Sequence, residues 1–212
     1  MAEIDHIVIG ARTLEEGAAF IERELGVKPQ PGGRHDGAGT HNMLVGMGPD
    51  CYLEVIAPDP SQPDPPQPRL FDLDDPATRT MLEAEPRLLT WVARTTAMDA
   101  VKSRLGPRGG ALREMHRGDL AWRMMLPPQR QDMDNMIPAM IEWKGERAGK
   151  RLHDSHLRLV ALEAEHPEVD SLKRALDERG LGAALTIRHA SRARLIARFA
   201  GKGGAEFTLT SG

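Results

Sequence analysis

The chain has 212 residues, 40% hydrophobic and 28% charged, enough to bury one large core or two small ones without disulfide or metal staples. A formal charge of −3 with both signs interleaved, and only 4% aromatic residues, provides neither a basic field nor a base-stacking surface, so nucleic acid is not an expected partner. The lone Cys51 cannot close an intramolecular disulfide, the first residues lack a basic and apolar leader, and no apolar run approaches the roughly 20 residues that span a bilayer; the expectation is a cytoplasmic protein without membrane contact.

The chain opens with an alternating strand in which Ile4, His6 and Val8 share one face and Asp5, Ile7 and Ile9 the other. A helix is predicted over 14–25, with Leu14, Ala18, Ile21 and Leu25 as its buried stripe, Thr13 and Glu16 spaced as a capping box, and Gly26 at its end. The glycine-rich run 31–39 lacks the Gly-Lys-Ser/Thr ending and the following helix of a phosphate loop, and reads as a mobile loop. Strands follow over 41–47 and 51–57. The second carries Tyr52-Leu53-Glu54-Val55-Ile56, a carboxylate in an otherwise apolar strand, which is costly to bury without a cation.

Prolines at 60, 63, 65, 66 and 68 mark an irregular or polyproline-like excursion, ending in a short helix capped by Asp75 with Pro76 in its first turn. The strand–helix–three-strand order then recurs: strand 88–95, helix 98–105, and strands 111–116, 120–126 and 137–143, with a long hairpin connection at 129–135. It recurs again as strand 156–165, helix 168–179, and strands 184–189, 194–199 and 205–209, with Val169, Leu172, Leu176 and Leu181 as the helix stripe. The organisation is therefore a first βαβββ module at 1–60, a Pro-rich connection at 61–86, a second module at 87–146 and a third, similar module at 154–212.

The phrases Ile4-Asp5-His6-Ile7-Val8, Gly39-Thr40-His41-Asn42, Tyr52-Leu53-Glu54-Val55-Ile56-Ala57-Pro58-Asp59-Pro60 and Ile141-Glu142-Trp143, together with the repeated βαβββ order, resemble the glyoxalase-like domain branch of the vicinal oxygen chelate superfamily. The resemblance implies an α+β fold in which two tandem modules pair as an open, curled-sheet barrel around a central cleft, with the third appended to extend or cover it. It also implies metal ligands on the first and last strands of each module. Carried over residue by residue, these are His6, Glu54 and Glu142, with the fourth position falling at Trp91 or Thr90. One imidazole and two carboxylates suffice chemically for Mn, Fe, Ni, Co or Zn, and a cleft with no metal is equally tenable.

Each of these residues also has a plainer reading. His6 can end a strand on a backbone carbonyl, Glu142 can pair with Arg123 or Lys144, and Thr40, His41 and Asn42 can cap a turn. As functional candidates, Glu54, Glu142 and His41 are assigned to proton transfer, and Thr40, His41, Asn42 and Arg123 to a small-molecule ligand. Cys51 reads as a structural thiol, and His153, His156, His166 and His189 as surface or strand-end residues. Two functions follow from the cleft: a divalent-metal-dependent isomerase, lyase or dioxygenase acting on a small oxygen-bearing substrate, or a metal-free protein that binds or sequesters a small molecule. Leftover sheet edges and the prevalence of two-fold assemblies lead to the expectation of a homodimer.

Overall fold

The computed structural model describes residues 2–127 and 133–212. Most of the expected 129–135 connection lies outside the described residues. The first module runs β1 (Glu3–Gly10), α1 (Leu14–Leu25), β2 (Gln30–His35), β3 (Thr40–Gly46) and β4 (Tyr52–Pro58). After a 3₁₀ turn at Leu70–Asp72 and α2 (Pro76–Ala84), the second module runs β5 (Arg87–Arg94), α3 (Met98–Leu105), β6 (Ala111–Arg117), β7 (Leu120–Leu126) and β8 (Ala139–Trp143). The last unit is β9 (Arg158–His166), α4 (Val169–Asp177), β10 (Thr186–His189), β11 (Arg194–Ala200) and β12 (Glu206–Thr210).

The first two modules form one eight-stranded sheet in the order β2-β3-β4-β1-β5-β8-β7-β6. They join at β1 and β5, which pair antiparallel, while each module's first strand runs parallel to its own last strand. The sheet curls until its edge strands β2 and β6 come into contact. Period-2 alternation divides it into two apolar faces. Ile7, Ile9, Leu53, Val55, Trp91 and Met140 lie on the convex, helix-covered side, whereas Val8, Tyr52, Ile56, Val92, Trp122 and Ile141 lie on the concave side.

The third unit repeats the element order of the others but not their strand order. Its sheet reads β10-β9-β11-β12, with β9 central and parallel to β10. In the other modules the first strand instead pairs with the last. The inner face of this sheet (Leu162, Ala164, Leu195, Ala197, Phe199 and Leu209) joins the core shared with α1 and α3, so the unit covers the helix side and leaves the cleft side free. His156 and Glu206 are exposed and take no part in the cleft. Of the two readings offered for it, His166 takes the strand-end one: it closes β9, is buried, and its Nδ1 accepts from Glu168 N at 2.9 Å where α4 begins.

Local signals explain several boundaries. Thr13 Oγ1 accepts from Glu16 N at 3.2 Å, Gly26 closes α1 with φ +66°, and Asp75 accepts from Thr78 N at 2.8 Å to start α2. The glycine-rich run is a correction: residues 30–35 form strand β2, paired with β3. The glycines serve close approach, since a Cβ on Gly32 would lie 2.1 Å from Asn42 Oδ1 and one on Gly33 2.7 Å from Arg117 Cδ.

The Pro-rich connection is also more than an excursion. Leu70, Phe71 and Leu73 are buried in the apolar lining of the concave face and cover it. Arg69 fixes this cover by donating to Gly39 O at 3.0 Å and to Asp74 at 2.7 Å. Gly17 of α1 offers a test of the packing behind the sheet. Helix propensity alone favours alanine there by roughly 0.8–1 kcal/mol. An added Cβ, however, would lie 2.3 Å from Val55 Cγ1 and 2.9 Å from Ala11 Cβ. Overpacking typically costs about 1–3 kcal/mol, so Gly17→Ala should lower the thermal midpoint; an unchanged or raised midpoint would contradict this α1–β4 contact.

Candidate functional site

The site begins with an irregularity in β1. Its register with β5 passes from Ile4↔Ala93 to His6↔Val92, so two residues of β1 oppose one of β5. This bulge turns Asp5 toward His6, against the simple alternation that sets it with Ile7 and Ile9. Asp5 Oδ1 lies 2.7 Å from His6 Nδ1, and Trp143 Nε1 donates to Asp5 Oδ2 at 3.0 Å. The His6 ring stacks on Tyr52 with centroids 4.5 Å apart, and its Nε2 lies 3.4 Å from Glu54 Oε2. That contact is an ion pair without an aligned hydrogen bond, and Nε2 is buried and otherwise unpartnered.

On the other side of the carboxylate, Asn42 Nδ2 donates to Glu54 Oε1 at 2.5 Å. Asn42 Oδ1 in turn accepts from Gly33 N at 3.0 Å and from Arg117 Nη1 at 2.9 Å. His35 completes the cluster, with Nδ1 2.9 Å from Thr40 Oγ1 and Nε2 3.8 Å from Glu54 Oε1. A polar chain thus crosses the cleft from Arg117 on β6, through Asn42, Glu54, His6 and Asp5, to Trp143 on β8. Both of its ends belong to the second module and its middle to the first.

Burial opposes charge on His6, but the carboxylates of Asp5 and Glu54 outweigh it and raise its pKa to about 9. Burial likewise pushes Glu54 upward, yet pairing with His6, the neighbouring His35 and the Asn42 hydrogen bond bring it down to about 2. His35 is pushed down to about 4, chiefly by burial, and stays neutral. The structure therefore holds a buried imidazolium–carboxylate pair beside a neutral imidazole.

The residues singled out in the sequence divide between the faces. His6, Glu54, Thr40 and Asn42 meet in the cleft. Glu142 does not: its neighbours Ile141 and Trp143 line the cavity, and alternation sends Glu142 to the helix side. There it accepts from Met98 N at 3.2 Å and from Arg123 Nε at 2.9 Å, and Arg123 also pairs with Asp99. The plainer ion-pair reading of Glu142 and Arg123 is the arrangement found. His41 alternates away from Asn42 and lies outside the cavity lining. Trp91 is buried in the helix-side core, and Thr90 Oγ1 donates to Asn135 O at 2.7 Å. Sequence reading missed Asp5, His35, Phe71, Arg117, Trp122 and Trp143. The adjacency of Asp5 and His6 was the one available signal, and only a bulge makes it count. Cys51 has its thiol pushed up to about 12 by burial, consistent with a structural role.

These donors do not fit the divalent metal that the resemblance implies. Among the described residues no group of three or more His, Cys, Asp or Glu side chains is arranged to hold a metal ion. Where the second module would supply ligands, it presents Ile141 and Trp143, and the Arg117 guanidinium lines the same cavity. The cavity they line has a volume of about 20 Å³, room for about one water molecule. Leu70 and Phe71 form the cover. Phe71 and Asp72 both hold φ +55°, a left-handed conformation uncommon for such residues.

The pair has a defined pH signature. His6, raised to about 9, contributes stability that is fully present below its ordinary value of 6.5 and is lost as pH rises through about 9. Glu54, lowered to about 2, contributes stability present above its ordinary 4.5 and lost as pH falls through about 2. NMR titration of the His6 ring should give a midpoint near 9, and Asp5→Asn should lower it by roughly 1–3 units by removing one carboxylate partner. A midpoint near 6.5 in the unaltered protein would refute the pair.

The model of the glyoxalase-like domain family matches residues 4–180. No curated protein matches the chain by sequence. Among solved structures, a hypothetical protein from Staphylococcus aureus aligns over 98% of this chain and 85% of its own, with a TM-score of 0.58 and 14% identity. A methylmalonyl-CoA epimerase from Streptomyces coelicolor, in complex with 2-nitronate-propionyl-CoA, aligns over 69% of this chain and 97% of its own, with a TM-score of 0.46 and 17% identity. The epimerase from Mycobacterium tuberculosis covers 66% and 87%, with a TM-score of 0.42 and 16% identity. At 14% identity the likeness to the Staphylococcus aureus protein is one of fold. With a family match spanning both cleft-forming modules, the chain belongs to the glyoxalase-like domain family.

Proposed function

We propose that the protein binds a small oxygen-bearing molecule in the covered cleft without a resident metal, the His6–Glu54 pair serving as a fixed polar anchor. The observation that carries this reading is the state of the pair. A group suited to moving protons near neutrality has a pKa close to 7, whereas His6 sits at about 9 and Glu54 at about 2. The ligand-free site is therefore a set ion pair, which favours the binding reading over acid–base turnover, while Ile141 and Trp143, standing where the second module would supply ligands, support a site without a resident metal. The apolar wall of Met124, Ile141 and Trp143 suits a carbon body, and Leu70 and Phe71 must move outward for one to enter.

Metal analysis separates the two readings. Protein purified without chelator should carry well under one equivalent of any transition metal, and chelator should leave its thermal midpoint unchanged. Titration with Mn²⁺, Co²⁺ or Zn²⁺ should give no saturable binding that depends on Glu54. One tightly held metal per chain, lost in Glu54→Gln, would overturn the proposal in favour of the metal-dependent enzyme.

A further inference from the structure

The hollow of the curled sheet does not end at the sealed chamber. Beyond Arg117 it continues as an open groove of about 590 Å³, against about 20 Å³ for the chamber itself. Among the described residues, Arg117 alone lines both. The floor of the groove is Leu44, Leu120, Ala148 and Leu152, which belong to or pack against the same concave apolar cluster as Tyr52, Trp122 and Ile141. Period-2 alternation explains the continuity. Asn42 and Leu44 share one face of β3, and Trp122 and Leu120 share one face of β7, so the groove begins about 7 Å further along the strands that build the chamber.

Little holds Arg117 in this dividing position. Its Nη1 donates to Asn42 Oδ1 at 2.9 Å, and among the described residues it enters no ion pair. When it swings aside, Asn42 Oδ1 keeps the Gly33 N–H at 3.0 Å and no carboxylate loses its cation. At the inner end, Trp122 Nε1 is a buried donor without a partner, and an indole N–H is a donor whatever the protonation of its neighbours. The ring does not turn to find one, since it packs on Trp143 at 5.3 Å and meets the His35 ring edge-on at 6.1 Å. The chamber thus offers one donor in a space of about one water, while the groove offers an apolar floor in the range of roughly 300–1,000 Å³ that takes small molecules.

We propose that this groove is the subsite for the ligand's carbon chain, which lies on Leu44, Leu120 and Leu152 while its carbonyl oxygen reaches past a displaced Arg117 to Trp122 Nε1. Outward movement of Leu70 and Phe71 makes room for the head, and displacement of Arg117 makes room for the tail. The class that fits is a neutral carbonyl compound with an unbranched apolar chain long enough to span the two-residue step of about 7 Å. The groove calls for no charge on the ligand, because Arg34 and Arg151 in its lining are already paired with Asp59 and Asp119. The inference rests on the proposed metal-free binding function and adds the length and orientation of its ligand.

The test is an NMR titration with 2-butanone and 2-octanone, which share a head and differ in chain length. Each fully buried methylene adds about three- to fourfold in affinity, and the open groove buries only part of the chain, so 2-octanone should bind at least about tenfold tighter. Both ketones should shift the Trp122 indole N–H resonance, and 2-octanone alone should also shift the methyl resonances of Leu44, Leu120 and Leu152. Leu152→Trp, at a half-buried position, fills the groove and should remove the difference between the two ketones. The methyl shifts in the unaltered protein carry the test if that variant folds poorly. If 2-octanone binds no tighter than 2-butanone, leaves the three leucines unmoved, or keeps its full advantage in folded Leu152→Trp, the groove assignment falls while the binding function stands. If neither ketone shifts the indole up to its solubility limit, both proposals fall.

Discussion

One buried carboxylate organises the cleft. Glu54 lies between Leu53 and Val55 in a strand buried on both faces, where an unpaired charge would be prohibitively costly. Its solution draws on four other strands: His6 from β1, Asn42 from β3, His35 from β2 and, through Asn42, Arg117 from β6. Several otherwise odd features follow from this need. The β1 bulge brings Asp5 beneath His6 so that the imidazole keeps its charge, and Gly32 and Gly33 leave room for the Asn42 amide and the Arg117 stem. Trp143 then anchors Asp5 from the far side.

The same chain of contacts accounts for how the modules are held. Antiparallel pairing of β1 with β5 makes the sheet continuous, but its curl is fixed where β2 meets β6, and there Arg117 reaches across to Asn42. Curling leaves a concave apolar face that neither module can cover with its own helix, because α1 and α3 lie on the convex side. The Pro-rich connection does so instead, laying Leu70, Phe71 and Leu73 into the hollow, with Arg69 bonded to Gly39 O and Gln62 to Asp59. The left-handed backbone at Phe71 and Asp72 carries a local cost, and the Phe71 side chain lines the cavity.

Much of this architecture was legible in the chain, for identifiable reasons. Alternating strands and local caps such as Thr13, Gly26 and Asp75 depend on neighbouring residues and read directly. His6, Glu54, Thr40 and Asn42 could be placed together because simple alternation holds in β3 and β4 and carries His6 correctly. Asp5 was hidden because a bulge breaks alternation without a mark in composition. Arg117 at a strand end looks like any solvated arginine until the far edge of the sheet comes round to meet it. Glu142 matched Glu54 in local phrase, yet Ile141 and Trp143 took the inward positions and left it to Arg123 and the start of α3. The third unit makes the same point at larger scale: its element order repeats, but pairing β9 with β10 and β11 is a tertiary choice that element order does not encode.

The cleft is built on His6 and Glu54 being energetically coupled inside it. A double-mutant cycle on equilibrium unfolding at pH 7, built from His6→Gln, Glu54→Gln and the double variant, measures that coupling directly. The structure predicts that the double variant is destabilised by clearly less than the sum of the two single changes, with a coupling of about 1 kcal/mol or more, because His6→Gln leaves the Glu54 carboxylate buried without its cation and Glu54→Gln leaves the imidazolium with Asp5 alone. Single effects that add to within about 0.3–0.5 kcal/mol would mean that the two side chains act independently, and would contradict the pair on which the cleft is built.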